Sequence, residues 1–439
     1  MSQTSIPSKR VFYTDNDTES LADALKAVGV AQALRGWLRA LQRASTPILI
    51  EDKGGYHQIT LPADLDESAV SDVSGAFAVG GPQLLVSKSQ LEKAHASGRT
   101  LNGFDYETYK ANRETYFKQY LSRPAAERAQ LDKSPEADSL KRLAPPPDFP
   151  LYAYINQFKI AAGYNALIEQ WQAAPLAVAH ANLRFLLRAY TVTPNPVEQA
   201  EAAWEAETDA KPGGGRMTRL QIINPTTGKG ANAQKAGVLS IGGLDGFWLV
   251  EYLKFGGLFA LAAPLVVKGA KDRKTFVLRP VNVELGALDS VMERFRSRVR
   301  GNTAAKLDIV TTLRFTEELI KYLRDAMVAG APDPLLALLR VRQRITDIAR
   351  GFDVAFYKDM GSAFATMNLA TVNLPGWLEH GHSFATPAQA DQTLALLEEH
   401  LRVIGGIRTA KGDEGSDEYE LLRRYRDFFS GHDLLGFLD

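Results

Sequence analysis

Four arginines at alternate positions, Arg294, Arg296, Arg298 and Arg300, are the first residues in this chain that suggest a chemistry. They lie too close together to enter one core and would fan around a helix surface, where guanidinium groups can meet several phosphate oxygens at once. The competing assignment is a solvated helix face paired with its own Glu293 and Asp289. Lys271, Arg273 and Lys274 lie just upstream, and between 268 and 350 seventeen basic residues face ten acidic ones. The whole chain has 51 basic and 51 acidic residues, so attraction for a polyanion has to come from this local belt.

A second candidate is Asn224 to Gly237 (NPTTGKGANAQKAG), a polar loop between apolar stretches. Such a loop can bring backbone N–H groups, with Lys229 or Lys235, to an anion or a groove edge. It is not a Walker A loop, because Ile223 and Gly230 stand where that motif needs Gly and Ser or Thr. An exposed loop without a ligand is the plainer alternative.

His380 and His382 could share a metal only if further ligands converged from elsewhere, and no HExxH companion is present. With Asp353 and Asp359 they are the residues a metal-dependent nuclease or hydrolase would use. Cysteine is absent, which excludes disulfides, thiolate nucleophiles and sulfur-ligated zinc and makes a reducing, cytoplasmic setting the expectation. No cofactor is expected. Tyr152, Tyr154, Phe158, Tyr164 and Trp171 offer rings for base stacking, yet their helical spacing favours core packing, as it does for Phe247, Trp248, Tyr252 and Phe255.

The elements that must position these residues read as α+β and helix-rich. Leu21 to Leu41 keeps apolar residues at helical spacing and predicts a buried helix. Pro47 to Glu51 and Tyr56 to Leu61, separated by Asp52, Lys53, Gly54 and Gly55, predict a hairpin. Helix is expected over 106–131, and the proline-rich stretch 133–150 reads as a linker or ordered loop. Strands are expected at 217–223, 258–267 and 275–278, with a helix over 245–255 between the first two. Beyond Gly286 the pattern is helical, near 287–300, 304–328, 334–351, 387–404 and 417–430. The expected organisation is a mixed N-terminal region (1–150), a mixed central region with short strands (151–286) and an all-helical C-terminal bundle (287–439). The longest apolar run, Gly257 to Val267, is interrupted by Pro264 and is too short to span a bilayer of ~30 Å. No membrane role is expected.

Several stretches together resemble one family, the large subunit of type I CRISPR surveillance (Cascade) complexes, nearest to subtypes A and B. They are YINQFKIAAGYNALIEQW (154–171), NPTTGKGANAQKAG (224–237) followed by GFWLVEYLKFGG (246–257), and KDRKTFVLRPVNVELGALDSVMERFR (271–296). The absence of cysteine departs from relatives that carry paired CxxC zinc ligands. The resemblance implies a non-catalytic subunit of an RNA-guided complex, in which guide pairing reads sequence and protein reads a short flanking motif. Such a subunit contacts the motif-proximal duplex, accommodates the displaced strand, docks on other subunits and presents a surface to a helicase-nuclease recruited in trans. Carried over, Asn224, Lys229 and Lys235 become candidates for duplex or guide-RNA contact. Lys271, Arg273, Lys274, Arg294, Arg296, Arg298 and Arg300 become candidates for phosphate contact. The alternatives are the metal enzyme above and a helical scaffold without nucleic-acid binding.

Overall fold

The computed structural model describes residues 8–43, 46–73, 82–98, 101, 103–172, 174–192, 197–211, 213–227, 244–330, 332–335, 337, 344–378, 386–407 and 416–431. The chain is α+β and helix-rich, and helices dominate its C-terminal part. In chain order the first elements are β1 (Lys9–Asp15), α1 (Leu21–Ala40), β2 (Leu49–Asp52), β3 (Tyr56–Leu65) and α2 (Glu67–Ser71). They are followed by β4 (Leu84–Val86), α3 (Lys88–Ala96), β5 (Gly103–Asp105), α4 (Tyr106–Tyr116), a π-helical turn (Phe117–Leu121), α5 (Ala125–Leu131), α6 (Pro135–Lys141), α7 (Phe149–Gln157) and α8 (Ala161–Gln172). Next are α9 (Leu176–Ala189), α10 (Val197–Thr208), β6 (Arg216–Thr218), β7 (Asp245–Phe247), α11 (Trp248–Leu261), β8 (Ala262–Val266), β9 (Arg273–Pro280) and β10 (Asn282–Glu284). The last are α12 (Leu285–Arg298), α13 (Ala304–Ala329), β11 (Ala349–Asp359), β12 (Phe364–Asn373), α14 (Pro387–Gly406) and α15 (Ser416–Gly431).

The chain forms two compact units, one of Met1–Gly81 with Gln170–Asp439 and one of Pro82–Glu169. This grouping differs from three consecutive regions for a topological reason. The N-terminal sheet, order β1-β3-β2-β10, takes its last strand from residues 282–284, so the first 65 residues share a sheet with the middle of the chain. The second sheet, order β12-β11-β9-β8, is antiparallel throughout, and β9 leads through Val281 directly into β10 of the first.

The β2–β3 hairpin forms where Asp52 to Gly55 predicted it. The Asp52 carboxylate accepts from the Gly54 N–H, and Gly54 takes a φ of 89°, a conformation glycine adopts without steric cost. Helix α1 is buried over most of its circumference, with Leu25, Val28, Leu34 and Trp37 fully enclosed. It packs along α11, and four phenylalanines, Phe276, Phe295, Phe315 and Phe352, tie the second sheet to α12 and α13 with ring centroids 5.2 to 6.0 Å apart.

Several expectations are corrected. The stretch 258–267 is not one strand: α11 continues to Leu261, and only 262–266 is extended. Of 217–223, Arg216–Thr218 is strand and Leu220 to Ile223 is a turn. The proline-rich stretch is more regular than a linker, because Pro135 and Pro150 occupy first-turn positions of α6 and α7, where a missing N–H costs nothing. The C-terminal region is not all helical, since β11 and β12 form a long hairpin within it. Its pattern, with Phe352, Val354, Ala355 and Tyr357 buried, completes the sheet that covers the phenylalanine cluster. Of the helix expected over 334–351, residues 349–351 belong to β11 and Ile345–Asp347 is a 3-10 turn, while 336 and 338–343 lie outside the described residues.

In the smaller unit, β4 pairs with β5 in parallel. Asn165 clamps Leu85 by accepting from its N–H and donating to its carbonyl, both at 2.8 Å. Tyr152 accepts from Gln83 N–H and Tyr164 donates to Gln83 O. Burial drives the Tyr152 hydroxyl well above its usual pKa. Tyr152, Tyr154 and Tyr164 are core, as are Trp171, Phe247, Trp248, Tyr252 and Phe255 in the larger unit. Phe158 is half-buried.

Candidate nucleic-acid interface

The basic belt separates into three groups with different surroundings. The first is internal. Lys274 on β9 is buried, and its ammonium donates to Asp308 Oδ1 at 2.7 Å and to the Ala304 carbonyl at 2.9 Å, joining sheet to α13. Arg296 on α12 donates to the carbonyls of Phe259, Ala260 and Ala262 at 2.7 to 2.9 Å. Those acceptors lie at the C-terminal end of α11, where carbonyls lack intrahelical partners and a cation is favoured by the helix dipole. Both side chains hold the fold together.

The second group is paired across helices. Arg298 reaches Glu317 at 3.4 Å and Glu318 at 3.7 Å on α13. Glu317 also receives Arg314 and Lys321. Burial opposes ionisation of Glu317, but the hydrogen bonds from Lys321 and Arg314 hold its carboxyl below the usual range. Arg294 pairs with Asp325 at 3.0 Å and lies over the Tyr322 ring. The partners are therefore α13 carboxylates, whereas Asp289 pairs with Arg35 of α1.

The third group is open. The β8–β9 turn carries Lys268 and Lys271, and the chain after α12 runs beside it, with Val267 bridged to Asn302 and Lys268 N–H bonded to Asn302 O at 2.8 Å. This brings Arg300 to the same end of the sheet as Lys268, Lys271 and Arg273. The register Arg273↔Tyr357 adds Lys358 of β11. Lys268, Lys271, Arg300 and Lys358 are exposed and make no ion pair among the described residues. Asp272 is turned toward the neighbouring hairpin, where it accepts from the Asp359 N–H at 2.9 Å. Arg273 donates to the carbonyls of Lys271 and Asp272, which stiffens the turn. Lys358 escaped sequence reasoning because nothing near it in the chain is basic. Only the strand register reveals its neighbours.

Asn224 is placed differently from a groove reader. Its side chain is buried, donating to Glu251 Oε2 at 2.6 Å and accepting from Lys254 at 2.6 Å, while Lys254 also donates to Glu251 Oε1 at 2.9 Å. Every polar atom in this triad has a partner, as burial demands. The triad anchors the start of the polar loop, whose Lys229 and Lys235 lie outside the described residues. It also lines a cavity of about 750 Å³, together with Asp15, Asp23, Lys26 and Asp353. There Lys26 bridges Asp15 at 2.5 Å and Asp23 at 3.5 Å, and Asp23 accepts from both the N–H and the hydroxyl of Thr18.

Asp353 is half-buried in the cavity wall, with Arg279 at 3.7 Å and the Thr371 hydroxyl at 3.3 Å supporting its charge, and burial pushes its carboxyl up to about 6. His57, buried nearby, has its pKa lowered by burial first, against the opposing pull of Asp52 and Asp23. Asp353 and Asp359 are six residues apart on one strand, roughly 20 Å at ~3.3 Å per residue, so they cannot share an ion. Among the described residues no three His, Asp or Glu side chains converge as metal ligands, and His380 and His382 lie outside those residues. No described helix is long and apolar enough to cross a membrane. No protein-family model matches the chain, and a search of curated proteins returned no match.

Proposed function

We propose that this chain is the non-catalytic large subunit of an RNA-guided DNA-targeting complex of the type I CRISPR surveillance kind. In this reading the cationic end of its second sheet contacts phosphates of the target duplex beside the flanking motif. The observation that carries the proposal is the convergence of the exposed Lys268, Lys271, Arg300 and Lys358, from three separate stretches of chain, at one end of the sheet, with Arg273 beside them. Lys271 and Arg273 lie within the segment 271–296 that carries the family resemblance, and Lys268 and Arg300 flank it. Lys268, Lys271, Arg300 and Lys358 make no ion pair among the described residues and keep their full charge for phosphate, whereas paired cations must first give up a salt bridge. The phosphate contacts would position the protein, and base recognition would come from guide pairing and from the flanking motif. The partners in this reading are guide RNA, target DNA, the other complex subunits and a helicase-nuclease recruited in trans, all in the cytoplasm.

The test is co-purification of the tagged chain with its genomic neighbours, followed by duplex binding over a salt series. A short guide RNA in the purified complex is expected. The triple variant Lys268→Ala/Lys271→Ala/Arg300→Ala should bind more weakly, with the log–log salt slope reduced by about 0.9 per lost contact. A chain that purifies without RNA, or a variant whose slope equals that of wild type, would sink the proposal.

A further inference from the structure

We propose that the exposed ring of Phe117, on the π-helical turn of the smaller unit, is a stacking platform for an unpaired base of single-stranded nucleic acid. The inference rests on the nucleic-acid reading above, but it concerns a different surface. Among the described residues only two Phe, Tyr or Trp side chains are exposed, Phe117 at 57% and Tyr419 at 46%. All the rings that sequence spacing nominated for stacking are buried or half-buried.

The backbone explains why Phe117 faces outward. Helix α4 widens at its end, with Ser122 N–H bonded to Phe117 O across five residues. π-turns of this kind recur at functional sites. Within the turn Tyr120 is drawn inward, stacking on Tyr116 at 5.3 Å and donating to Asp132 at 2.7 Å. Phe117 and Leu121, one position further on, are left on the outside. Leu121 is itself 39% exposed, so the turn presents two apolar side chains to solvent.

Charge selects the occupant. Lys110, Arg113 and Lys118 are exposed at seven and four residues before Phe117 and one after it, the first two on its own face of the helix. Lys118 makes no ion pair among the described residues, and Lys110 has only an exposed contact with Glu107 at 3.7 Å. Glu107 and Glu114 are the acids on this side of the helix. An exposed aromatic flanked by cations suits a strand that offers a π-face and phosphates together. Tyr419 is set differently, beside Asp417, Glu418 and Glu420, and the arginines one turn on, Arg423 and Arg424, are already paired with Glu420.

The probe is fluorescein-labelled oligothymidine, titrated against the full chain over a salt series. Phe117→Leu should weaken binding about tenfold with an unchanged salt slope, because stacking is lost while the phosphate contacts remain. Phe117→Trp should retain affinity, and the emission it adds should be quenched on binding. Lys118→Ala should lower the slope by about 0.7. Wild-type affinity in Phe117→Leu, or added emission that stays unquenched in the Phe117→Trp protein, would overturn the inference. The Lys268/Lys271/Arg300 variant separates the two proposals: it should lose duplex affinity and keep oligothymidine affinity. If it keeps both while Phe117→Leu loses the single strand, the duplex reading fails and this one stands.

Discussion

Replacing Gly29 with alanine adds one methyl group at the point where α1 and α11 touch backbone to backbone. A Cβ at position 29 would lie 1.8 Å from the Leu253 carbonyl oxygen and 2.4 Å from its carbon. The contact is reciprocal, since a Cβ on Gly257 would lie 1.9 Å from the Leu25 carbonyl oxygen. Ordinary contact between such atoms needs ~3.5 Å, so the helices must part by roughly 1.5 Å along a seam lined by Leu25, Val28, Leu253 and Leu258. A gap of that size removes a large share of the dispersion contacts along the seam, and overpacking of this kind costs about 3 kcal/mol or more. Alanine recovers about 1 kcal/mol of helix propensity, leaving a net loss of about 2 kcal/mol or more. Gly36, on the same helix with nothing within 4 Å of its Cβ position, is the control, and Gly36→Ala should stabilise by about 0.5 to 1 kcal/mol. The assay is the urea midpoint at constant m-value. Once Gly29→Ala has separated the helices, Gly257→Ala should cost less than it does alone. Wild-type stability in Gly29→Ala, or strictly additive single variants, would refute the close-packed seam.

Two further outcomes follow from the buried charges. Arg296→Ala, which strips three carbonyls of their donor, should lower stability by about 2 kcal/mol or more and leave the salt slope of nucleic-acid binding unchanged, the reverse of the pattern expected for Lys271→Ala. Asp353 carries a pKa raised from 3.8 to about 6, so between those values the folded state holds more protons than the unfolded state, and stability should fall as pH rises from about 4 to about 6. The whole effect is at most about 3 kcal/mol. Asp353→Asn should flatten this slope and match or exceed wild type in stability above it, as read from urea midpoints across the range. A wild-type profile in the variant would show that another group titrates there.

Local pattern alone determined a good deal of this protein. The α1 helix, the β2–β3 hairpin, α13 and the two last helices follow from apolar periodicity and turn residues, which act over a few neighbouring positions. The burial of the aromatic stretches follows from the same periodicity. The apolar segment 258–267 was ambiguous, because a fully buried helix and a buried strand look alike in composition, and here the glycine contact with α1 favours helix through Leu261. The basic belt was visible as a count of charges, but its division was not. Lys274, Arg296 and Arg300 are chemically equivalent in the sequence as exposed-type cations. Only tertiary structure sets one against Asp308, one against the open end of α11, and one on an edge beside Lys268 and Lys358. The same holds for Asn224, which the sequence presents as part of a polar loop and the fold encloses with Glu251 and Lys254. A side chain's type dictates the bonds it can make, while its availability to a ligand depends on partners that arrive from distant parts of the chain.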